Sequence, residues 1–468
     1  MYIKVRLFNF KKCKLDIREC ILKNMVKKSM NPKKLSFISI YFLGINGVIG
    51  SGAFLLPQTI YKDMNLMSVA VLIFAAITVS MIALCYADLS SRFTDSGAAW
   101  IYSYNAFGHF VGYELGIFIW FLGCCTYAAE IVALLTTLKS MWPIYDNNFI
   151  YFGTAYGLII LFTIINFFGT AIVKYIDNIS SAAKIGTIII FILIAIFFIH
   201  KNNFTPIMPQ SATTGFIPFF KHFGSTFSVV FYMFTGFSFV PIAARQMKNP
   251  EKNIPRVLIA VMVTVTILYS LMLVVAIGIL GSKMKNYSTP IAIAFQKAVG
   301  EWGYVIIIIG MLVSIFGVAF ACSFNTPALI SSLANEHSML PKWMGKKNQF
   351  GAPWVAILIS VIITSILVTQ SYLFLVSYIV LASFIQYVPS ILAVIKFKHD
   401  NKYPNHGFKL PGGYTIPVLA LFISFYMVIN FTLKTLLVGV IVGIVAAICY
   451  FFTNRNKDPK KMNVRHTN

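Results

Sequence analysis

The stretch Gly44-Ile-Asn-Gly-Val-Ile-Gly-Ser-Gly-Ala-Phe-Leu-Leu-Pro57 puts four glycines and a serine inside an apolar run from about Leu35 to Tyr61. That run is long enough to cross a bilayer as a helix, but glycine is among the poorest helix formers, so the span is expected to break there. At Ile49 to Gly52 the first half-helix would end in carbonyls without intrahelical donors, and the second would begin with free N–H groups at the positive end of its dipole. One gap then offers acceptors for an ammonium and donors for a carboxylate, the two poles of an α-amino acid. Glycine lets such a ligand reach the main chain with no Cβ in the way. Lipid supplies no hydrogen-bond partner, so the break has to face protein or a water-filled cavity. The alternative reading is close helix packing, because Gly47 and Ser51 form a small-xxx-small pair.

Ionisable residues inside apolar segments are the other candidates, since each costs about 2.5–3.5 kcal/mol near a span's centre on insertion scales. Glu130, in Thr126-Tyr-Ala-Ala-Glu-Ile-Val-Ala133, is the clearest. Three roles are open to it: proton carrier, partner for a cationic substrate side chain, or structural ion-pair partner. Burial without a partner favours the proton-bound form of a carboxyl, which suits the first. Glu114 reads as interfacial, and Asp88 and Asp95, flanking a turn, read as solvated caps. Lys184 opens an apolar segment in Asn178-Ile-Ser-Ser-Ala-Ala-Lys-Ile-Gly186, where a lysine is able to snorkel to the membrane surface.

The elements that must position these groups are membrane spans. Hydrophobic residues make up 58% of the 468 and charged ones 11%, and the apolar runs are continuous rather than alternating, which excludes an outer-membrane barrel. Runs of spanning length fall at roughly 35–61, 67–87, 112–138, 149–169, 180–199, 226–244, 256–281, 302–334, 353–369, 372–395, 414–433 and 435–452. The fold class is therefore an all-α polytopic membrane protein with twelve transmembrane helices. An even number puts both termini on one side, and on that arrangement 30 of the 38 Lys and Arg share the side of the termini. The positive-inside rule makes that side cytoplasmic and accounts for the net charge of +24 without a nucleic-acid partner. The basic tail, residues 1–34, is an orientation signal that also suits anionic membrane lipid.

None of the seven cysteines falls in an outside loop, so no disulfide framework is expected, and no spacing suggests a metal site or a cofactor. The sixth segment repeats the interruption, with Thr235, Gly236 and Pro241 in Phe231-Tyr-Met-Phe-Thr-Gly-Phe-Ser-Phe-Val-Pro241. Broken helices at matching positions of two successive five-helix halves point to an inverted-repeat transporter with its site at the midplane. The expected organisation is a ten-helix core at 35–396, a cytoplasmic loop at 397–413, two further helices at 414–453 and a cytoplasmic tail at 454–468.

With these features in order, the chain resembles the amino acid–polyamine–organocation superfamily, in particular its bacterial amino acid permeases and exchangers, over roughly residues 35–455. The most specific piece is Gly50-Ser-Gly-Ala-Phe-Leu-Leu-Pro57. Three weaker ones follow: Lys248-Asn-Pro-Glu-Lys-Asn-Ile-Pro-Arg256, Met339-Leu-Pro341 with Gly351-Ala-Pro353, and Phe408-Lys-Leu-Pro-Gly-Gly-Tyr-Thr-Ile-Pro417. The resemblance implies that Ser51 and Gly52 meet the substrate carboxylate with backbone N–H groups, with Gly50 beside them in the substrate site. Carbonyls near Val48 and Ile49, with others around Thr235 and Gly236, would hold the amine, and Tyr232 and Phe234 would gate the site. It implies that Lys184 faces the break, a fixed ammonium where sodium-coupled relatives hold an ion, so coupling would be by protons or by exchange. Several relatives carry an acid where this chain has Ser238, and mechanisms that need that acid are not carried over.

The function expected is a secondary transporter of amino acids in the cell's inner membrane, working by alternating access. A carrier of polyamines or related organic cations, or a non-transporting sensor on the same fold, is the alternative. Neither G-x-x-x-x-G-K-[ST], H-E-x-x-H nor G-x-S-x-G occurs, so ATP drive and the corresponding enzyme classes have no support. Ser323 and Gln386 are candidates for a side-chain pocket.

Overall fold

The computed structural model describes residues 36–454 apart from 94–96, 98, 169–172, 399 and 401–402. The basic tail 1–34, Cys13, Cys20, Asp95 and residues 455–468 lie outside the described residues.

The first apolar segment is two helices. α1 (Phe37–Val48) opens on Ser36, whose hydroxyl accepts from the Ser39 N–H, and it stops at Ile49, which turns to an extended conformation. α2 (Gly52–Met64) starts after Ser51, and the two axes are bent by 42°. The chain continues through α3 (Met67–Ser90), α4 (Ala99–Phe107), α5 (His109–Met141), α6 (Asn148–Phe167) and α7 (Val173–Ala195). α8 (Phe216–Phe234) tightens at Thr235 into a 3₁₀ segment, Thr235–Gln246. Gly236 and Pro241 lie in that segment: one is a weak helix former and the other has no N–H to give. After it come α9 (Pro250–Leu280), α10 (Pro290–Val299), α11 (Glu301–Asn335), α12 (Trp354–Leu367), α13 (Tyr372–Phe397), α14 (Thr415–Ile429) and α15 (Leu433–Asn454).

Among the described residues nine helices are long and apolar enough to cross a membrane, and the bent pair α1 and α2 makes a tenth. The ninth and eleventh runs of the sequence are the exceptions. Their helices, α12 and α14, have 14 and 15 residues, against the roughly 20 that span a hydrocarbon core. Their outer faces are nonetheless apolar: Leu358, Ile362 and Ile366 recur every fourth residue along α12 and are exposed, the pattern of a surface that meets lipid.

The two interrupted segments cross backbone to backbone. A Cβ on Gly47 would lie 2.9 Å from the Gly236 carbonyl oxygen, and one on Gly236 would run into the Gly47 carbonyl. Around that crossing, α5, α7 and α11 pack through small residues: Gly123 of α5 against Thr326 of α11, and Gly310 and Gly317 of α11 against Thr187 and Ser180 of α7. Without a hydrophobic drive between helices in lipid, such close backbone approach is what holds spans together.

One expectation is corrected here. Asp88 at the end of α3 is not a solvated cap but is 2% exposed, with Arg92 Nε donating to it at 2.8 Å. Asn405 Nδ2 and the Leu410 N–H each donate to Asp88 Oδ2 at 3.1 Å. Three residues after Asp88, Ser91 donates to the Glu251 carbonyl and accepts from the Phe408 N–H. The loop before α14 is thus tied onto the end of α3 and the start of α9.

Candidate functional site

Both ends of the break at Ile49–Ser51 are occupied by side chains of the chain itself. On the carbonyl side, Lys184 of α7, fully buried, donates from Nζ to the Ile49 carbonyl at 2.7 Å and the Asn46 carbonyl at 3.3 Å, and to the Asn46 side-chain oxygen. Tyr269 of α9 donates its hydroxyl to the Val48 carbonyl at 3.1 Å. A carbonyl oxygen accepts two hydrogen bonds, so the Tyr269 contact leaves Val48, which lines the cavity, a free acceptor position.

On the N–H side stands Glu130 of α5, 1% exposed. Its two carboxylate oxygens each accept from the Ser51 N–H at 3.3 Å, and Oε1 accepts from the Ser51 hydroxyl at 2.9 Å. A helix start is where backbone donors and the dipole favour an anion, and here the anion is a side chain. A Cβ on Gly50 would sit 2.7 Å from Glu130 Oε1, so a larger residue there would have to displace the carboxyl group. Tyr372, the first residue of α13, meets the Ser51 hydroxyl at 2.8 Å, and the Tyr232 side chain adjoins the same group.

A small cavity of about 40 Å³ opens beside the break, well below the roughly 300–1,000 Å³ of small-molecule sites, so a ligand would need the wall to move before it fits. Gly47, Val48, Gly50 and Gly52 line it from the first segment, Tyr232, Thr235 and Gly236 from the sixth, and Glu130 from α5. Tyr232 covers Gly52, where a Cβ would come within 3.0 Å of its ring. Ile49, Ser51 and Lys184 stand behind the wall, where they make the contacts above. Phe234 does not line the cavity: it is buried with its ring 5.4 Å from that of Tyr269. Ser323 and Gln386 lie off the wall as well, and Ser323 is hydrogen-bonded to Asn166 of α6.

Several wall and support residues carried no sequence signal. Tyr269 and Tyr372 reach the break from positions that nothing local marks, in a chain with 23 tyrosines. Leu122, Met233, Phe239, Val318 and Ile379 also line the cavity and read in sequence as ordinary apolar span residues. Asn46 alone had a clue, as the one amide inside the apolar run of α1.

The family model described as amino acid permease matches residues 35–436, which includes both interrupted segments and every residue of this site. The chain belongs to the amino acid permease family. Among the permease's relatives is an uncharacterized transporter of Mycobacterium tuberculosis, 28% identical over 77% of this chain and 79% of the relative. The branched-chain amino acid permease BcaP of Bacillus subtilis is 25% identical over 93% and 97% of the two chains. The methylthioribose transporter of the same organism is 25% identical over 90% and 94%. The relatives are transporters, and the permease is a multi-pass membrane protein of the same kind.

Proposed function

We propose that this permease is a secondary active transporter that moves amino acids across the cytoplasmic membrane by alternating access, coupled to protons or working by exchange. The observation that carries the reading is the pair of opposite ends at the Ile49–Ser51 break, one holding an ammonium and the other a carboxylate. An α-amino acid offers the same two groups. Its carboxylate would take the N–H groups of Ser51 and Gly52, and its amine the carbonyls around Val48, Ile49, Thr235 and Gly236. A polyamine has no carboxylate and would leave the N–H end unfilled, which favours the amino acid.

In this reading Glu130 is a stand-in for the substrate. Two carboxylates cannot share one N–H without repulsion, so substrate binding drives Glu130 off Ser51 or onto a proton. Proton uptake by Glu130 then accompanies substrate binding, which is what proton-coupled symport requires. Lys184 supplies the fixed positive charge at the carbonyl end, where a sodium ion would otherwise serve, and Tyr232 closes over the ligand.

The architecture we propose is twelve spans: a 5+5 inverted repeat over residues 35–396 with α1/α2 and α8 as its broken helices, a loop at 397–413, and two added helices at 414–453. Both termini would be cytoplasmic. The half containing the broken helices would rock against α5, α7 and α11.

Reconstitution into liposomes tests this. Uptake of each labelled amino acid is measured with and without a pH gradient, sodium, or internal counter-substrate. Accumulation driven by an inward proton gradient or by counter-substrate is expected. A sodium requirement, or uptake of no amino acid under any condition, would remove the proposal.

A further inference from the structure

Two short hydrogen bonds lead away from the Glu130 carboxylate. The Ser51 hydroxyl donates to Glu130 Oε1 at 2.9 Å, and its oxygen lies 2.8 Å from the Tyr372 hydroxyl. Both fall within the roughly 2.5–3.0 Å of O–H···O hydrogen bonds. A hydroxyl has one proton to give, so with Ser51 donating to the carboxylate its oxygen is left to accept from Tyr372. Tyr372, Ser51 and Glu130 thus stand in one directed row. The inner end, Glu130, is 1% exposed. The outer end is the first residue of α13, partly exposed, and it follows a turn at 368–371 in which Thr369 and Ser371 are exposed. The other ionisable groups facing Glu130 offer no such exit: Lys184 of α7, Tyr269 of α9 and Cys322 of α11 are buried around it. Tyr232 of α8 is buried too and adjoins both Ser51 and Tyr372.

Resting on the proton-coupled reading above, we propose that the hydroxyls of Tyr372 and Ser51 carry protons from the outside water to Glu130. A hydronium ion beside Tyr372 gives its proton to the phenol oxygen as the phenol proton moves to Ser51 and the Ser51 proton moves to Glu130. Three O–H bonds break and three form, so one proton passes from hydronium to the carboxylate and both hydroxyls end neutral. In the proposed twelve-span arrangement the turn between α12 and α13 lies outside, which makes this an entry route. Ser51 then serves both fluxes, its N–H taking the substrate carboxylate and its hydroxyl the proton.

The test uses the full chain in liposomes. Exchange is read at equal pH, with the twenty amino acids unlabelled inside and labelled outside. Proton entry is read from a trapped pH-sensitive dye under an inward proton gradient, with the same twenty outside only. Tyr372→Phe keeps the ring and removes the outer hydroxyl. The ratio of amino-acid-driven proton entry to exchange is expected to fall about a hundredfold, the lower end for loss of a positioned proton-transfer group. Ser51→Ala breaks the row at its middle and is read by the same ratio should the first variant not fold. A ratio unchanged in the folded variant, or proton entry and exchange falling together, overturns the relay, because the hydroxyl would then serve only to close the site. Exchange by the parent without amino-acid-driven proton entry overturns the relay and leaves amino acid transport standing. A parent that neither exchanges nor takes up any of the twenty overturns both.

Discussion

Glu130 holds the main-chain N–H of Ser51, 79 residues before it: both carboxylate oxygens lie 3.3 Å from that nitrogen, and Oε1 lies 2.9 Å from the serine hydroxyl. A helix start in mid-membrane has donors that lipid cannot satisfy. At Ser51 the chain satisfies the donor itself, with the Glu130 carboxyl.

Replacing Glu130 by Gln keeps the shape and the hydrogen bonding to the Ser51 hydroxyl but fixes the group in a neutral state. Uptake by E130Q is expected to lose its acceleration by an inward proton gradient while exchange of internal for external substrate continues. In the parent, uptake is expected to rise as the outside pH falls, since a proton on Glu130 removes the charge that would repel a substrate carboxylate from the Ser51 N–H. A gradient response unchanged in E130Q would take this residue out of the coupling step.

Lys184 sits with its ammonium on the carbonyls of Asn46 and Ile49. Lys184→Met keeps most of its volume and removes the charge. The variant is expected to bind substrate but to transport at the same rate with and without the pH gradient. Transport that follows the gradient as the parent does would exclude Lys184 from coupling.

The glycines of the two interrupted segments separate binding from packing. Gly52→Leu drives a side chain into Tyr232, Leu56 and Met233, which lie 3.0–3.3 Å from the position of its Cβ, and is expected to abolish uptake in a protein that still inserts and runs as a single species in size-exclusion chromatography. Gly236→Ala acts on the crossing itself, where the added methyl meets the Gly47 carbonyl. It is expected to lower thermal stability by at least about 1–3 kcal/mol, the usual cost of overpacking. Normal uptake by Gly52→Leu would contradict the binding assignment.

Asp88 gathers Arg92, Asn405 and the Leu410 N–H at the end of α3. Asp88→Ala leaves a mostly buried guanidinium without its carboxylate, a loss of roughly 3–5 kcal/mol for a buried pair. A clearly lowered melting temperature is expected, with faster proteolysis of the 403–410 loop. A melting temperature within a degree of the parent would show that the tie carries little.

How far the sequence could be read follows from the range of each interaction. The break near Ile49 was legible because glycine and serine stand where an apolar helix needs neither, a signal contained in five residues. Its occupants were not. Ser51 and Glu130 are brought together only by the packing of α5, and Tyr372 meets Ser51 from 321 residues away. Asp88 was misread for the same reason: its local setting of Ser90, Ser91 and Arg92 looks solvated, while the loop that buries it lies more than 300 residues on. Hydropathy also overestimated α12 and α14, because apolar loop residues beside a helix extend the run without extending the helix. The apolar lining of the cavity was invisible because Leu122, Val318 and Ile379 differ in nothing but direction from the apolar residues around them.

The most direct measurement is a cryo-EM map of the permease in lipid nanodiscs with a saturating amino acid that it transports. The ligand carboxylate is expected within hydrogen-bond distance of the Ser51 and Gly52 N–H groups, with the Glu130 carboxylate moved off Ser51. A ligand bound elsewhere while Glu130 stays on the Ser51 N–H would contradict the account.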